Sequence, residues 1–338
     1  MKKVIFLSAI ALAAAVSCSK SEVVDTKFES EAIGFETYLG RDALTKATET
    51  TTANLEEFGV YGYYTAGKTY TEAAPATANL MNNVKVTKSG DTWTYSPAKY
   101  WTNEVDKYTF FAYAPYSVGS DATAPVISYT VASALADQKD VIYSVNNRDV
   151  TKTSCKHADG TYVPFEFKHA LSRIAVKAKA VMYDKNGAVA TDQTTEFDHT
   201  FTITDITLQG DFATSGTMDL SAENPSWNST LAAATYDMTA TAGQALTGEY
   251  FNFSTDNYLM VLPTDFTSKA ATLTVKYKIT YAGATSDEIT KTLPINTNFE
   301  QGKAYTINLT LQRNKDNAII FNVSSVDGWN TENEITVS

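Results

Sequence analysis

Chemistry in this chain of 338 residues begins at Cys18. Lys2 and Lys3 lead an unbroken run of apolar and small residues from Val4 to Val16, and Ala15-Val16-Ser17-Cys18 closes it. Small residues ahead of a cysteine at the end of such a run form a lipobox, where the thiol takes a diacylglycerol and the peptide is cut just before it. Residues 1–17 then read as a lipoprotein signal peptide with Cys18 as the first mature residue. The plainer reading is an ordinary signal peptide with an incidental cysteine. The run is shorter than the ~20 apolar residues that span a bilayer, which argues against a retained transmembrane helix. A diacylglycerol together with an acylated amine exceeds what stable membrane anchoring requires.

The second cysteine, Cys155, lies in the polar stretch from Thr151 to His157. Its closeness to His157 would suit an activated thiol, but an incidental loop thiol is the simpler reading. With Cys18 lipidated, Cys155 lacks a disulfide partner, so the core has to supply the stability. His157, His169 and His199 form no metal-ligand spacing with one another or with cysteine. His169, between Phe167 and Leu171, reads as a hydrogen-bonded structural histidine in a strand. There is no phosphate loop, nucleophile elbow or calcium loop; Asp184-Lys185-Asn186-Gly187 reads as a turn, and no carboxylate pair stands out. No catalytic residue, metal or cofactor is therefore expected. Trp93, Trp101, Trp227 and Trp329 could stack on sugar rings, or simply pack in a core.

The elements carrying these residues read as strands. Tyr is counted at 20 and Phe at 16, and apolar residues recur mostly with period two. The segments Leu273 to Tyr281, Tyr305 to Leu311 and Ile174 to Lys179 each put apolar side chains on one face and polar ones on the other. Turn signals fall at Asp159-Gly160, Asn186-Gly187, Gln209-Gly210 and Asp327-Gly328. This spacing predicts antiparallel β-sandwich architecture throughout, with one short helical connector at Ser133 to Lys139. The net charge of −11 argues against nucleic acid or an anionic membrane face as a partner.

Removal of the signal leaves enough chain for two domains, divided near residue 167, where a polar loop gives way to a fresh series of alternating strands. The expected organisation is a mobile N-terminal linker with a first strand over 18–52, an N-terminal sandwich over 53–167 and a C-terminal sandwich over 168–338. The linker carries one apolar patch, Ile33-Gly34-Phe35.

Several separated pieces, taken in order, resemble the fimbrillin family of anaerobic Gram-negative bacteria in its Mfa-like branch. They are the signal ending at Cys18, the Ile33-Gly34-Phe35 patch with Lys46-Ala47-Thr48 after it, and Phe58-Gly59-Val60-Tyr61-Gly62-Tyr63. Tyr100-Trp101, the run from Tyr108 to Pro115 and the run from Phe167 to Ile174 follow, then Tyr258 to Pro263 and Asn298 to Tyr305. The resemblance covers the whole chain. It implies two transthyretin-like β-sandwiches in tandem, carried to the cell outer membrane as a lipoprotein and polymerised into a surface fimbria by donor-strand exchange.

What that implies for single residues is specific. A trypsin-like maturation protease would cut after Arg41 or Lys46, Lys46 standing where relatives often carry Arg. The strand holding Ile33 and Phe35 would then leave its sandwich, opening a groove that an extended segment of another fimbrial subunit fills. Glu334 to Ser338 alternates as a donor strand would, with Ile335 and Val337 as anchors; a plain edge strand is the other reading of that segment. The alternative to a fimbrial shaft is a non-polymerising surface adhesin or carbohydrate-binding lipoprotein, or a tip or anchor subunit. A host protein or glycan is a further candidate ligand.

Overall fold

The computed structural model describes residues 31–39, 50–51, 53–119, 125–181, 188–189, 199–239, 243–254, 258–281, 283–313, 319–326 and 334–337. Most of this is strand, and helix is confined to one four-residue turn and two 3-10 turns among the described residues. Sixteen strands matter here, in chain order: β1 (Gly34–Tyr38), β2 (Glu57–Ala66), β3 (Met81–Ser89), β4 (Thr92–Thr94), β5 (Lys107–Ala114), β6 (Val126–Thr130), β7 (Ile142–Val150) and β8 (Gly160–Glu166). They continue with β9 (Ser172–Val181), β10 (Thr200–Asp219), β11 (Trp227–Asp237), β12 (Ala271–Tyr281), β13 (Ile289–Ile295), β14 (Ala304–Arg313), β15 (Ile319–Val326) and β16 (Glu334–Val337).

A six-stranded antiparallel sheet runs Lys168–His169, β7, β5, β2, β3, β4. Its central strands β2 and β5 are apolar and aromatic almost without interruption, as strands covered on both faces must be. Period two sorts their side chains. Phe58, Val60, Tyr108 and Phe110 face one core, built among the described residues from 33–167 alone, and Tyr61, Tyr63, Phe111 and Tyr113 face the other. The three-stranded sheet of β1, β8 and Lys156–His157 closes the first core. The second core is larger and combines that opposite face with Ile174, Ile203, Leu273 and Leu309.

Two further large sheets follow. In one, β9 lies beside β14, which continues into β15 and β16; in the other, β10 lies between β11 and β12, and β12 also pairs with β13. Strand β6 joins this last sheet through β10, with Thr130 opposite Ser215, so main-chain pairing crosses residue 167. Side chains cross it too. The Arg148 guanidinium lies over the Phe111 ring and donates to the carbonyls of Ser221 and Ala222 at 2.6 and 2.9 Å. The Gln138 amide oxygen accepts from the Met260 N–H at 2.7 Å.

Several expectations need correction. Pairing is not antiparallel throughout: β1 runs parallel to β8, and β9 parallel to β14. Gln209-Gly210 is not a turn but the interior of β10. The glycine serves packing, because a Cβ at Gly210 would lie 2.7 Å from a Phe266 ring carbon. Asp159 does lie in the turn joining Lys156–His157 to β8, whereas Asn186-Gly187 and Asp327-Gly328 lie outside the described residues. The connector at Ser133 to Lys139 holds only a single 3-10 turn, Leu135–Asp137.

Candidate functional site: the first strand and its groove

The seat of strand β1 is assembled from distant parts of the chain. Its parallel partner β8 places Gly34 opposite Tyr162 and Tyr38 opposite Glu166. Main-chain bonds extend the hold at both ends: the Ile33 N–H donates to the Lys99 carbonyl at 2.8 Å, and the Phe167 N–H donates to the Tyr38 carbonyl at 2.8 Å. The Tyr95 hydroxyl donates to the Ile33 carbonyl at 2.7 Å. Just ahead of the strand, Glu31 meets the Lys152 ammonium at 3.4 Å, and Glu104 meets the same ammonium at 2.9 Å. That lysine is pushed up from its ordinary value, chiefly by its bond to Glu104.

Alternation along the segment sends Ile33, Phe35 and Leu39 inward and leaves Tyr38 exposed. Phe35 is the centre of the seat. Its ring lies 5.3 Å from those of Tyr95 and Phe165, 6.0 Å from Phe110 and 6.2 Å from Phe58. Such offset and edge contacts each add about 0.5–1.5 kcal/mol beyond area burial. Burial of the three apolar side chains contributes roughly 1.5–3 kcal/mol each, a sum comparable to the net stability of a whole domain. A groove emptied of this strand would expose Phe58, Phe110 and Phe165 and the unpaired edge of β8.

Ile33 and Phe35, which the sequence singles out, are both buried, and so is Leu39, which it does not, because the outward Tyr38 blurs the alternation there. Nor does the sequence single out Tyr95, which no local pattern ties to a strand sixty-two residues away. Cys155 lies in a turn, as the loop-thiol reading has it, but its side chain is buried in this same core, and burial pushes its thiol up to about 11. The His157 ring stacks on Tyr162, with centroids 4.2 Å apart and the two planes nearly parallel. His169 bonds through Nδ1 to the buried Asp140 carboxylate at 2.8 Å, which is the structural role expected of it.

Among the tryptophans, Trp101 is buried and Trp227 donates to the Ala170 carbonyl at 2.7 Å. Trp93 packs its ring 4.8 Å from Phe58 and borders an open cavity of about 460 Å³ between β1 and the β3–β4 hairpin. Trp329 lies outside the described residues, as do Cys18, Arg41 and Lys46. Ile335 and Val337 fall on β16, which pairs antiparallel with β15, Ile335 opposite Ser325 and Val337 opposite Val323.

A curated relative, fimbrium subunit Fim1C of Phocaeicola vulgatus, is 33% identical over 187 residues, covering 48% of each chain. The match thus spans about half the length of that relative. A fimbrial protein from Bacteroides vulgatus superposes with a TM-score of 0.65 at 22% identity, over 88% of this chain and 99% of that one. A candidate cell adhesion protein from Bacteroides ovatus gives 0.52 at 17% identity, over 90% and 99%. These two likenesses show a shared fold. The family model described as fimbrillin-like matches residues 45–329, most of the sequence, and the chain belongs to that family.

Proposed function

We propose that this protein is a structural subunit of a cell-surface fimbria, exported as an outer-membrane lipoprotein through Cys18, trimmed after Arg41 or Lys46 and polymerised by donor-strand exchange. The observation that carries this reading is the seat of β1. A short strand at the edge of a three-stranded sheet fills an aromatic groove with its side chains, and the candidate cleavage sites follow it directly in sequence. Cutting there would leave β1 attached to the rest of the chain by non-covalent contacts alone. An extended segment with apolar residues at alternate positions could then take its place, satisfying the same backbone edge. On this reading 53–167 and 168–338 act as two sandwiches, joined by β6 and Arg148 so that groove and C-terminal strand belong to one rigid subunit. Ile335 and Val337 would be the donor's anchors, leaving β15 when a neighbour's groove is free.

The test uses the chain from Ser19 onward, treated briefly with a trypsin-like protease, with the new N-terminus sequenced and polymers sought by gel and electron microscopy. Cleavage after Arg41 or Lys46 that yields filaments, lost on deleting Glu334 to Ser338, supports the reading. A trimmed chain that stays monomeric with β1 still seated overturns it.

A further inference from the structure

Strand β11 is an edge strand whose own sequence does little to guard it; its ladder to β10 slips once, between Ala213 and Ser215 of β10, opposite Leu231 and Thr230. It spans eleven residues and, among the described residues, pairs only with β10. Every residue from Asn228 to Ala233 is exposed, and Leu231 is 60% exposed. Sheets normally protect such edges with charge, proline, bulges or shortness. Three other described edges show those devices: β13 carries Lys291 and Pro294, β16 is four residues long and holds Glu334, and β4 has three residues. From Asn228 to Tyr236, β11 has neither a charge nor a proline. Asp211, beside it on β10, is already ion-paired with Lys269.

We infer that β11 is an interaction surface for a second copy of this chain, the two β11 strands pairing antiparallel about a twofold axis near Leu231-Ala232-Ala233. Three observations select this occupant. An open edge of this length needs a strand of matching length, and among the free edges described here only β11 itself offers one. A twofold pairing places like residues near each other, which charges would forbid; this stretch has none, although the chain as a whole carries −11 and repels its copies elsewhere. The small side chains at Ala232 and Ala233 allow close approach on both faces, while Leu231 would be covered by its partner. A single strand edge buries far less than the ~1,200 Å² of a stable interface, so two isolated chains associate weakly. Copies arrayed side by side would gain by multivalency. The pairing uses no residue of the β1 groove and does not depend on strand exchange.

Because the pairing is weak, it is best trapped. Single cysteines are placed at Leu231, Ala232 and Ala233 in the full chain, which is oxidised and run on a non-reducing gel. The parent chain gives the background from native cysteines, and a cysteine at the 73%-exposed Val105 gives the yield from random collision. Opposed residues of antiparallel strands lie within disulfide reach only when they face each other. At least one of the three positions should therefore dimerise several-fold above the Val105 control, and adding Ser229→Lys, an exposed edge charge that leaves the core intact, should return the yield to that control. Dimer yields at all three positions no higher than at Val105 would overturn the inference, as would a trapped dimer indifferent to Ser229→Lys.

Discussion

β1 is five residues long and keeps Phe35 buried, with Ile33 and Leu39 inward on either side of it, whereas β11 is eleven residues long and leaves six successive residues exposed. The first is held mainly by what its side chains touch, the second by a long main-chain ladder to β10 and by its ends. The two strands are therefore replaceable in different ways. Side-chain burial in a groove is specific to sequence and can be filled by another apolar segment of the same period. A bare ladder edge asks only for another strand.

The comparison is most exposed to failure at Phe35. Phe35→Ala should lower the free energy of unfolding by about 3–5 kcal/mol in urea denaturation, the cost of deleting a buried phenyl ring. A loss under about 1 kcal/mol would mean that β1 is held by its backbone after all. Leu39→Ala should cost less, about 2–4 kcal/mol, since it removes a smaller side chain at the strand's end. In combination with Phe35→Ala it should fall short of additivity, because a strand already loosened at Phe35 has less to lose at Leu39.

Cys155 sharpens the same side of the comparison, since its thiol lies in the core that β1 closes. Burial raises it from 9.0 to about 11, disfavouring the thiolate in the folded chain only. Below pH 9 both folded and unfolded thiols are protonated and the stability is intact. As pH rises from about 9 to 11, the unfolded thiol ionises while the folded one does not, and stability falls by ~2–3 kcal/mol. Denaturation midpoints measured across that range for the parent and for Cys155→Ala should diverge; parallel curves would show that the thiol is open to water.

Much of the fold was legible. The alternation from Leu273 to Tyr281 appears as β12, with Leu273, Val275 and Tyr277 buried, because a strand covered on one face writes its burial into the sequence. Ile33 and Phe35 were legible for the same reason, but not the direction of β1. Parallel or antiparallel pairing with a partner more than a hundred residues away leaves no local trace. Gly210 misled because turn and close packing both call for glycine, and only the Phe266 ring decides between them. The thiol of Cys155 misled because its neighbours Ser154 and Lys156 are polar and exposed, while the chain turns that one side chain inward.

The smallest effect belongs to β11, and its smallness is the point. Leu231→Ala removes a side chain as large as Leu39, yet that side chain is already mostly in water, so little transfer free energy is at stake and no cavity forms. The change in unfolding free energy should stay within about 0.5 kcal/mol, the range for exposed positions. An exposed leucine that stabilises nothing in the monomer leaves the isolated fold indifferent to its identity. A loss above about 1 kcal/mol would show that Leu231 packs against the chain itself, and the contrast between a strand held by its side chains and one held by its ladder would collapse.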